Sequence, residues 1–183
     1  MPSTYELFRI PVPPSEEDVI KYSQLRLLGL KTNPEAFGST FEGESKNTHA
    51  QWKSRIDKEE RFTIIARLVS RDSSETAREE WVGTASILTP TMWARSDADT
   101  YGVVGMWVHP EHRRKGLGKK LLEFGIEWVR TRTEGNPTAT RLALEVHRGN
   151  EGAKKLYDGL AFVESRDELC EDPDRIPLFL VVK

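Results

Sequence analysis

The run Val108-His109-Pro110-Glu111-His112-Arg113-Arg114-Lys115-Gly116-Leu117-Gly118-Lys119-Lys120 concentrates the residue types from which an anion site is built. Gly116 and Gly118 let the backbone turn tightly and come close to a ligand. The stretch that follows reads as a helix. The first N–H groups of a helix lack intrahelical partners and carry the positive end of its dipole. Arg113, Arg114, Lys115 and Lys119 add full charges. A pyrophosphate is the natural guest of such a turn. Two common pyrophosphate motifs do not fit it. A nucleotide P-loop needs Gly, four residues, then Gly-Lys and Ser or Thr, a string absent here. A dinucleotide fingerprint needs a small residue three positions after the second glycine, where Leu121 stands, and no βαβ unit with a ribose-binding acid follows. What is left is Arg-x-x-Gly-x-Gly on Arg113, Gly116 and Gly118.

A second set of chemistry-bearing residues lies downstream. Asn150 is placed to cap a helix that carries Ala153, Leu156 and Tyr157. Glu145 and His147 precede it and share one face of a strand by alternation. His109 and His112 flank Pro110-Glu111 and are expected at the surface. Histidines at 49, 109, 112 and 147 with one cysteine offer a single close pair, within the basic turn, so no metal site is expected. Trp93, in a polar loop, is a candidate for lining an acceptor pocket, whereas the other tryptophans read as core.

These residues need elements to position them. Residues 5–10 alternate and meet Pro11, Pro13 and Pro14, which predicts a strand. Ser15 is an N-cap candidate with Glu16, Glu17 and Asp18 in the first turn, and Val19, Tyr22, Leu25, Leu28 and Leu30 follow at near-helical spacing up to Asn33-Pro34. A second helix is expected over 48–59, and strands over 61–69, 81–88 and 101–108, the first two joined by a charged connection at 70–80. Residues 89–99 read as a loop. Residues 116–131 read as an amphipathic helix with Leu117, Leu121, Leu122, Phe124, Ile126, Trp128 and Val129 on a broad buried stripe. A strand over 141–146, a helix over 150–160, a short strand from 161, an acidic loop at 165–175 and a last strand over 177–182 complete the chain. The order predicts an α+β fold: a mixed, mostly antiparallel central sheet flanked by helices.

Bulk properties bound the function. The 183 residues suit one domain, and 37% apolar with 31% charged residues is globular composition. A net charge of −2 gives no global pull toward nucleic acid or an anionic membrane. Cys170 is the only cysteine, which excludes an intrachain disulfide and suits a reducing compartment. The first six residues lack the order of a signal peptide, and no apolar run reaches membrane-spanning length. The cytoplasm is the expected location, with the nucleus also compatible.

Residues 106–122, with Val-x-Pro-Glu-x-Arg-x-Lys-Gly-x-Gly and then Leu121-Leu122, resemble the acetyl-CoA signature of the GNAT N-acetyltransferases. The family's last landmark follows at the right distance: a strand over 142–146, then Asn150, Ala153, Leu156, Tyr157 and Phe162. The likeness in element order spans 61–183, and 33–38 (Asn-Pro-Glu-Ala-Phe-Gly) is similar to a motif of some members. It implies one domain over 1–183, with 1–60 as variable acceptor-side helices and 61–183 as the acetyl-CoA core. It implies splayed fourth and fifth strands that admit the pantetheine arm. Met106, Trp107 and Val108 would pair with that arm, and Val108 N–H would meet the oxyanion. Residues 113–119 (Arg113, Arg114, Lys115, Gly116, Leu117, Gly118, Lys119) would hold the pyrophosphate, and Asn150 would bond near the pantetheine. Tyr157 would be the general acid, with Glu145 a candidate base. The implied reaction moves acetyl from acetyl-CoA to a primary amine, on a small molecule or a peptide, by direct attack in a ternary complex. A non-catalytic acyl-CoA-sensing module and a nucleotide-binding protein are the competing classes. No metal, nucleic acid or membrane partner is implied, and a homodimer is common in the family. The loops at 89–99 and 165–175 would set the acceptor, the latter with Glu168, Glu171, Asp172 and Asp174, preceded by Glu164. The family has Gly-Phe where this chain has Ala161-Phe162, which puts the turn geometry there in question.

Overall fold

The computed structural model describes residues 3–71, 77–93, 99–135, 138–165 and 172–182. Seven strands, β1 (Ser3–Arg9), β2 (Arg61–Arg71), β3 (Ala77–Leu88), β4 (Thr100–Val108), β5 (Thr140–His147), β6 (Val163–Glu164) and β7 (Arg175–Val182), form one sheet in the order β1-β2-β3-β4-β5-β7-β6. Every neighbouring pair is antiparallel except β4 and β5. That parallel pair joins Thr100, Tyr101 and Gly102 to Arg141, Leu142 and Ala143 and then stops, although both strands run on. The fold is thus the mixed, mostly antiparallel α+β sheet with splayed fourth and fifth strands expected from the sequence.

Helices cover both faces. On one face α5 (Leu117–Thr133) buries Leu117, Leu121, Leu122, Ile126 and Val129 in a core shared with Phe62, Ile64, Val82, Ile87 and Leu142, whereas Phe124 and Trp128 of the expected stripe lie at its edge, Phe124 exposed and Trp128 half-buried. On the other, α1 (Glu16–Thr32) and α3 (His49–Ile56) pack Val19, Tyr22, Leu25, Trp52 and Ile56 against Ile10, Ile65 and Trp107. Each start is built from side chains in the sequence. Ser15 and Asp18 close a reciprocal capping box on α1, as Thr48 and Gln51 do on α3. The structure shortens the helix expected over 48–59 to eight residues, with Asp57 as its C-cap. It adds α2 (Phe41–Glu44), capped by the Thr40 side chain, and α4 (Pro90–Trp93) inside the expected 89–99 loop. One turn has too few apolar positions to show a helical period. No helix among the described residues is long and apolar enough to cross a membrane.

The strand β4 is itself bent. Thr84 pairs with Trp107 and Ser86 with Val104, so Ala85 faces both Gly105 and Met106. This is a β-bulge, and Gly105 takes φ +64° in it, a conformation glycine adopts without steric penalty. The bulge lies where β4 leaves β5.

Candidate active site

Where β4 and β5 part, a cleft of about 1060 Å³ opens. Its walls are residues 103–108 of β4, 144–147 of β5, the start of α5, the helix α6 (Glu151–Asp158) and residues 35–39. Met106, Trp107, Val108, Arg113, Arg114, Gly116, Leu117, Gly118, Lys119, Glu145, Asn150 and Tyr157 all line it, as the sequence reading grouped them. Lys115 does not. Its ammonium donates to the Tyr5 hydroxyl at 3.2 Å and lies 5.8 Å from the centre of that ring.

The turn into α5 exposes backbone donors. Arg114 and Gly116 both have left-handed φ, 58° and 78°. Gly116 is the N-cap and gives no side-chain cap, and the first helical bond runs from Lys120 N–H to Gly116 carbonyl at 3.0 Å. The N–H groups of Leu117, Gly118 and Lys119 therefore lack helical acceptors at the cleft. Gly118 lets β4 and α6 close in: a Cβ there would lie 3.0 Å from Leu156 Cδ2 and 3.2 Å from Met106 Cε. The dipole end, the free amides and the flanking Arg114 and Lys119 fit a pyrophosphate chemically.

Arg113, also on the cleft wall, is held by partners within the chain. Its Nε donates to Val108 carbonyl at 2.9 Å and its Nη2 to Asn33 Oδ1, which also accepts from Trp107 Nε1 at 3.1 Å. The guanidinium thus ties the turn to the end of α1. His109 N–H donates to Val82 carbonyl on β3 at 2.8 Å, so alternation turns the Val108 backbone to the open side, toward the cleft.

At the other wall Tyr157 is 6% exposed and packs on Phe162 at 5.7 Å. Its hydroxyl has no hydrogen-bond partner among the described residues, and burial pushes its pKa up to about 12. The phenol is therefore protonated at neutral pH. Asn150 caps α6 through Oδ1, which accepts from Ala153 N–H at 3.1 Å, leaving its amide nitrogen for other use. Glu145 and His147 share the cleft face, both half-buried, and His147 Nδ1 accepts from Gly149 N–H at 3.1 Å.

His112 corrects the surface expectation. It is 8% exposed and hydrogen-bonded through Nδ1 to the Tyr5 hydroxyl at 2.9 Å, and desolvation holds its pKa below the usual value. His109 is half-buried. Ligand atoms of the two histidines and Glu111 lie within 4.8 Å of one another. Trp93 does line the cleft, against Gly102, where a Cβ would come within 2.0 Å of its ring. Of the acidic loop, Glu168 and Glu171 lie outside the described residues. Asp172 pairs with Arg175 at 3.3 Å, and it is Arg175 that lines the cleft.

Sequence reading missed Arg26 and the use of Asn33. Arg26 is 7% exposed and reaches the cleft from α1. The signal was its spacing: four residues after Tyr22 and four before Leu30, it falls on the buried stripe.

Comparison with known proteins agrees with this geometry. The family model described as the acetyltransferase (GNAT) family matches residues 30–162. No curated protein sequence matches the chain. Among solved structures, a GNAT-family acetyltransferase from Streptococcus pneumoniae superimposes with a TM-score of 0.69 at 16% identity, covering 98% of this chain and 100% of that one. PaiA N-acetyltransferase from Thermoplasma acidophilum, in complex with coenzyme A, gives 0.66 at 15%, covering 96% and 98%. The ribosomal-protein-S18-alanine N-acetyltransferase from Escherichia coli gives 0.60 at 17%, covering 98% and 94%. At such identities these likenesses show the fold.

Proposed function

Because the chain belongs to the GNAT acetyltransferase family, we propose that it transfers the acetyl group of acetyl-CoA to a primary amine by direct attack in a ternary complex. The observation that carries this reading is the cleft between β4 and β5, with unpaired amides of α5 at one end and the protonated Tyr157 hydroxyl on its wall. A neutral amine nitrogen attacks the thioester carbonyl. The Val108 N–H, on the open side of β4, stabilises the oxyanion. The carbon–sulfur bond then breaks, and Tyr157 gives its proton to the departing thiolate. Glu145, or water beside it, takes the proton from nitrogen. The N–H groups of α5 with Arg114 and Lys119 hold the pyrophosphate, and the free β4 edge pairs with the pantetheine arm as an added strand.

In this reading 61–183 is the acetyl-CoA core and 1–60 supplies the acceptor side, consistent with Asn33 and residues 35–39 on the cleft wall. The acceptor is a small molecule or a peptide. Acetyl-CoA use and the single cysteine suit the cytoplasm. The test is thiol release from acetyl-CoA with a broad amine panel, wild type beside Tyr157→Phe. Turnover that falls sharply in the variant supports the reaction and the acid. Acetyl-CoA binding without turnover on any amine points instead to an acyl-CoA-sensing module.

A further inference from the structure

Arg26 lines the cleft from α1, and behind it Arg55 and Arg61 add guanidinium groups with few carboxylates to match them. Arg26 is 7% exposed. Its Nε donates to Glu44 Oε2 at 3.0 Å, and its Nη2 to Glu44 Oε1 at 2.8 Å and Ser39 Oγ at 2.7 Å. Phe37 covers the guanidinium face, 4.4 Å from ring centre to Cζ. Four contacts on one side thus fix the fork. Its remaining nitrogen, Nη1, is buried and has no partner among the described residues. Leaving a charged donor buried and unpaired is expensive, and in native structures such a group calls for a specific role or for a partner from outside the chain.

The direction of Nη1 is informative. Among the described residues, leaving aside the chain neighbours of Gly105, it is the one heavy atom within 4 Å of the position a Cβ would take there, at 3.7 Å. Gly105 is the bulge residue on the cleft wall, beside the splay. The local charge points the same way. Arg55 also bonds Glu44, at 2.6 Å. The buried Arg61 donates only to Thr63, Tyr22 and Ser86, with no carboxylate in ion-pair distance among the described residues. Arg26 and Arg55 thus share Glu44 while the neighbouring Arg61 has no carboxylate partner among the described residues, which leaves a net positive field around Arg26. Glu145 supplies a carboxylate on the β5 wall. A molecule with an ammonium and a carboxylate matches both walls.

We propose that the acceptor is an amino-carboxylate and that Arg26 Nη1 receives its carboxylate oxygen, orienting the amine toward the thioester. This deepens the acetyltransferase reading and rests on it. It makes Arg26 a specificity-determining residue.

The test pairs each acceptor with an analogue that keeps the amine and loses the charge: amino acids against their amides, and peptides with free against amidated C-termini. For the holo chain with saturating acetyl-CoA, kcat/KM is expected to favour the free acid by about tenfold or more, through KM, because a buried donor rejects an analogue that leaves it unpaired. Arg26→Lys keeps a charge for Glu44 but loses the fork. It is expected to erase the acid preference while the KM for acetyl-CoA stays put. Since that variant can lose stability, calorimetry on wild type gives a second readout: N-acetyl amino acids should bind more tightly than their amides. Equal turnover of acid and amide overturns this inference and leaves the acetyltransferase reading intact. No turnover of any amine removes the latter, and equal or absent binding of acids and amides then overturns this proposal as well.

Discussion

Arg26 and Glu44 meet as a two-point ion pair between α1 and α2, with Nε to Oε2 at 3.0 Å and Nη2 to Oε1 at 2.8 Å, both side chains less than a tenth exposed. Burial by itself raises the Glu44 pKa. Hydrogen bonds from Arg26, Arg55 and Ser39 overcome that and bring it to about 2. A carboxyl depressed on folding contributes stability that is fully present above its ordinary pKa, near 4.5, and is lost as pH falls toward 2. Glu44→Gln leaves the buried Arg26 and the half-buried Arg55 without a counterion, and the expected cost is about 3 kcal/mol at pH 7. Urea denaturation should show that gap at pH 7 and a much smaller one at pH 3. A constant gap would mean that Glu44 acts through packing alone.

Tyr157 is set up to hold a proton. With burial pushing its pKa to about 12, the phenol stays neutral through the usual assay range. Tyr157→Phe should lower kcat by about 10²- to 10⁴-fold, the ordinary yield of a general acid, with the acetyl-CoA dissociation constant within about twofold. The wild-type rate should rise with pH as the amine deprotonates and show no Tyr157 limb below pH 10. A variant with unchanged kcat removes the acid role.

The basic turn divides its labour. Arg113, Arg114 and Lys119 all line the cleft, but the Arg113 guanidinium is engaged by Val108 and Asn33, and Lys115 lies off the cleft on Tyr5. Arg114→Ala and Lys119→Ala should each weaken acetyl-CoA binding by about 1 kcal/mol, roughly fivefold, and more at low salt. Lys115→Ala should weaken it less than either. Titration calorimetry at two ionic strengths orders the three, and a larger loss at Lys115 would show that it leaves Tyr5 for the ligand.

The turn motif and the Asn150–Tyr157 landmark were legible because each is local: glycines, caps and charges act within one turn of chain. What Arg113 bonds to is visible only in the structure. Its charge and position suit a phosphate, but its partner Asn33 is 80 residues away and no spacing reveals it. His112 likewise reads as exposed until β1 brings Tyr5 over it. Arg26 was hidden by its residue type, since an arginine in an amphipathic helix is usually solvated, and only its place on the stripe marks it as buried. The short α2 has no period to read, yet it carries Glu44, which turns Arg26 into a fixed fork.

Ala161 takes a left-handed backbone: φ is +63° in a residue with a Cβ. The turn is held by Ala161 N–H to Asp158 carbonyl and Phe162 N–H to Tyr157 carbonyl, both 3.0 Å. It keeps its shape because Phe162 is locked in the core, 3% exposed and packed against Tyr157. A left-handed alanine costs about 1 kcal/mol more than glycine, partly offset by the greater freedom glycine gives the unfolded chain. Ala161→Gly should therefore raise stability by about 0.5 kcal/mol, or about 1–2 °C in Tm for a chain of this size. Because the substitution removes only a methyl group from a position that is exposed, Tyr157 should stay in place and kcat should change by less than about twofold. Thermal unfolding beside steady-state kinetics checks both parts. A lowered Tm would mean that the turn relies on the stiffness of alanine rather than tolerating its strain.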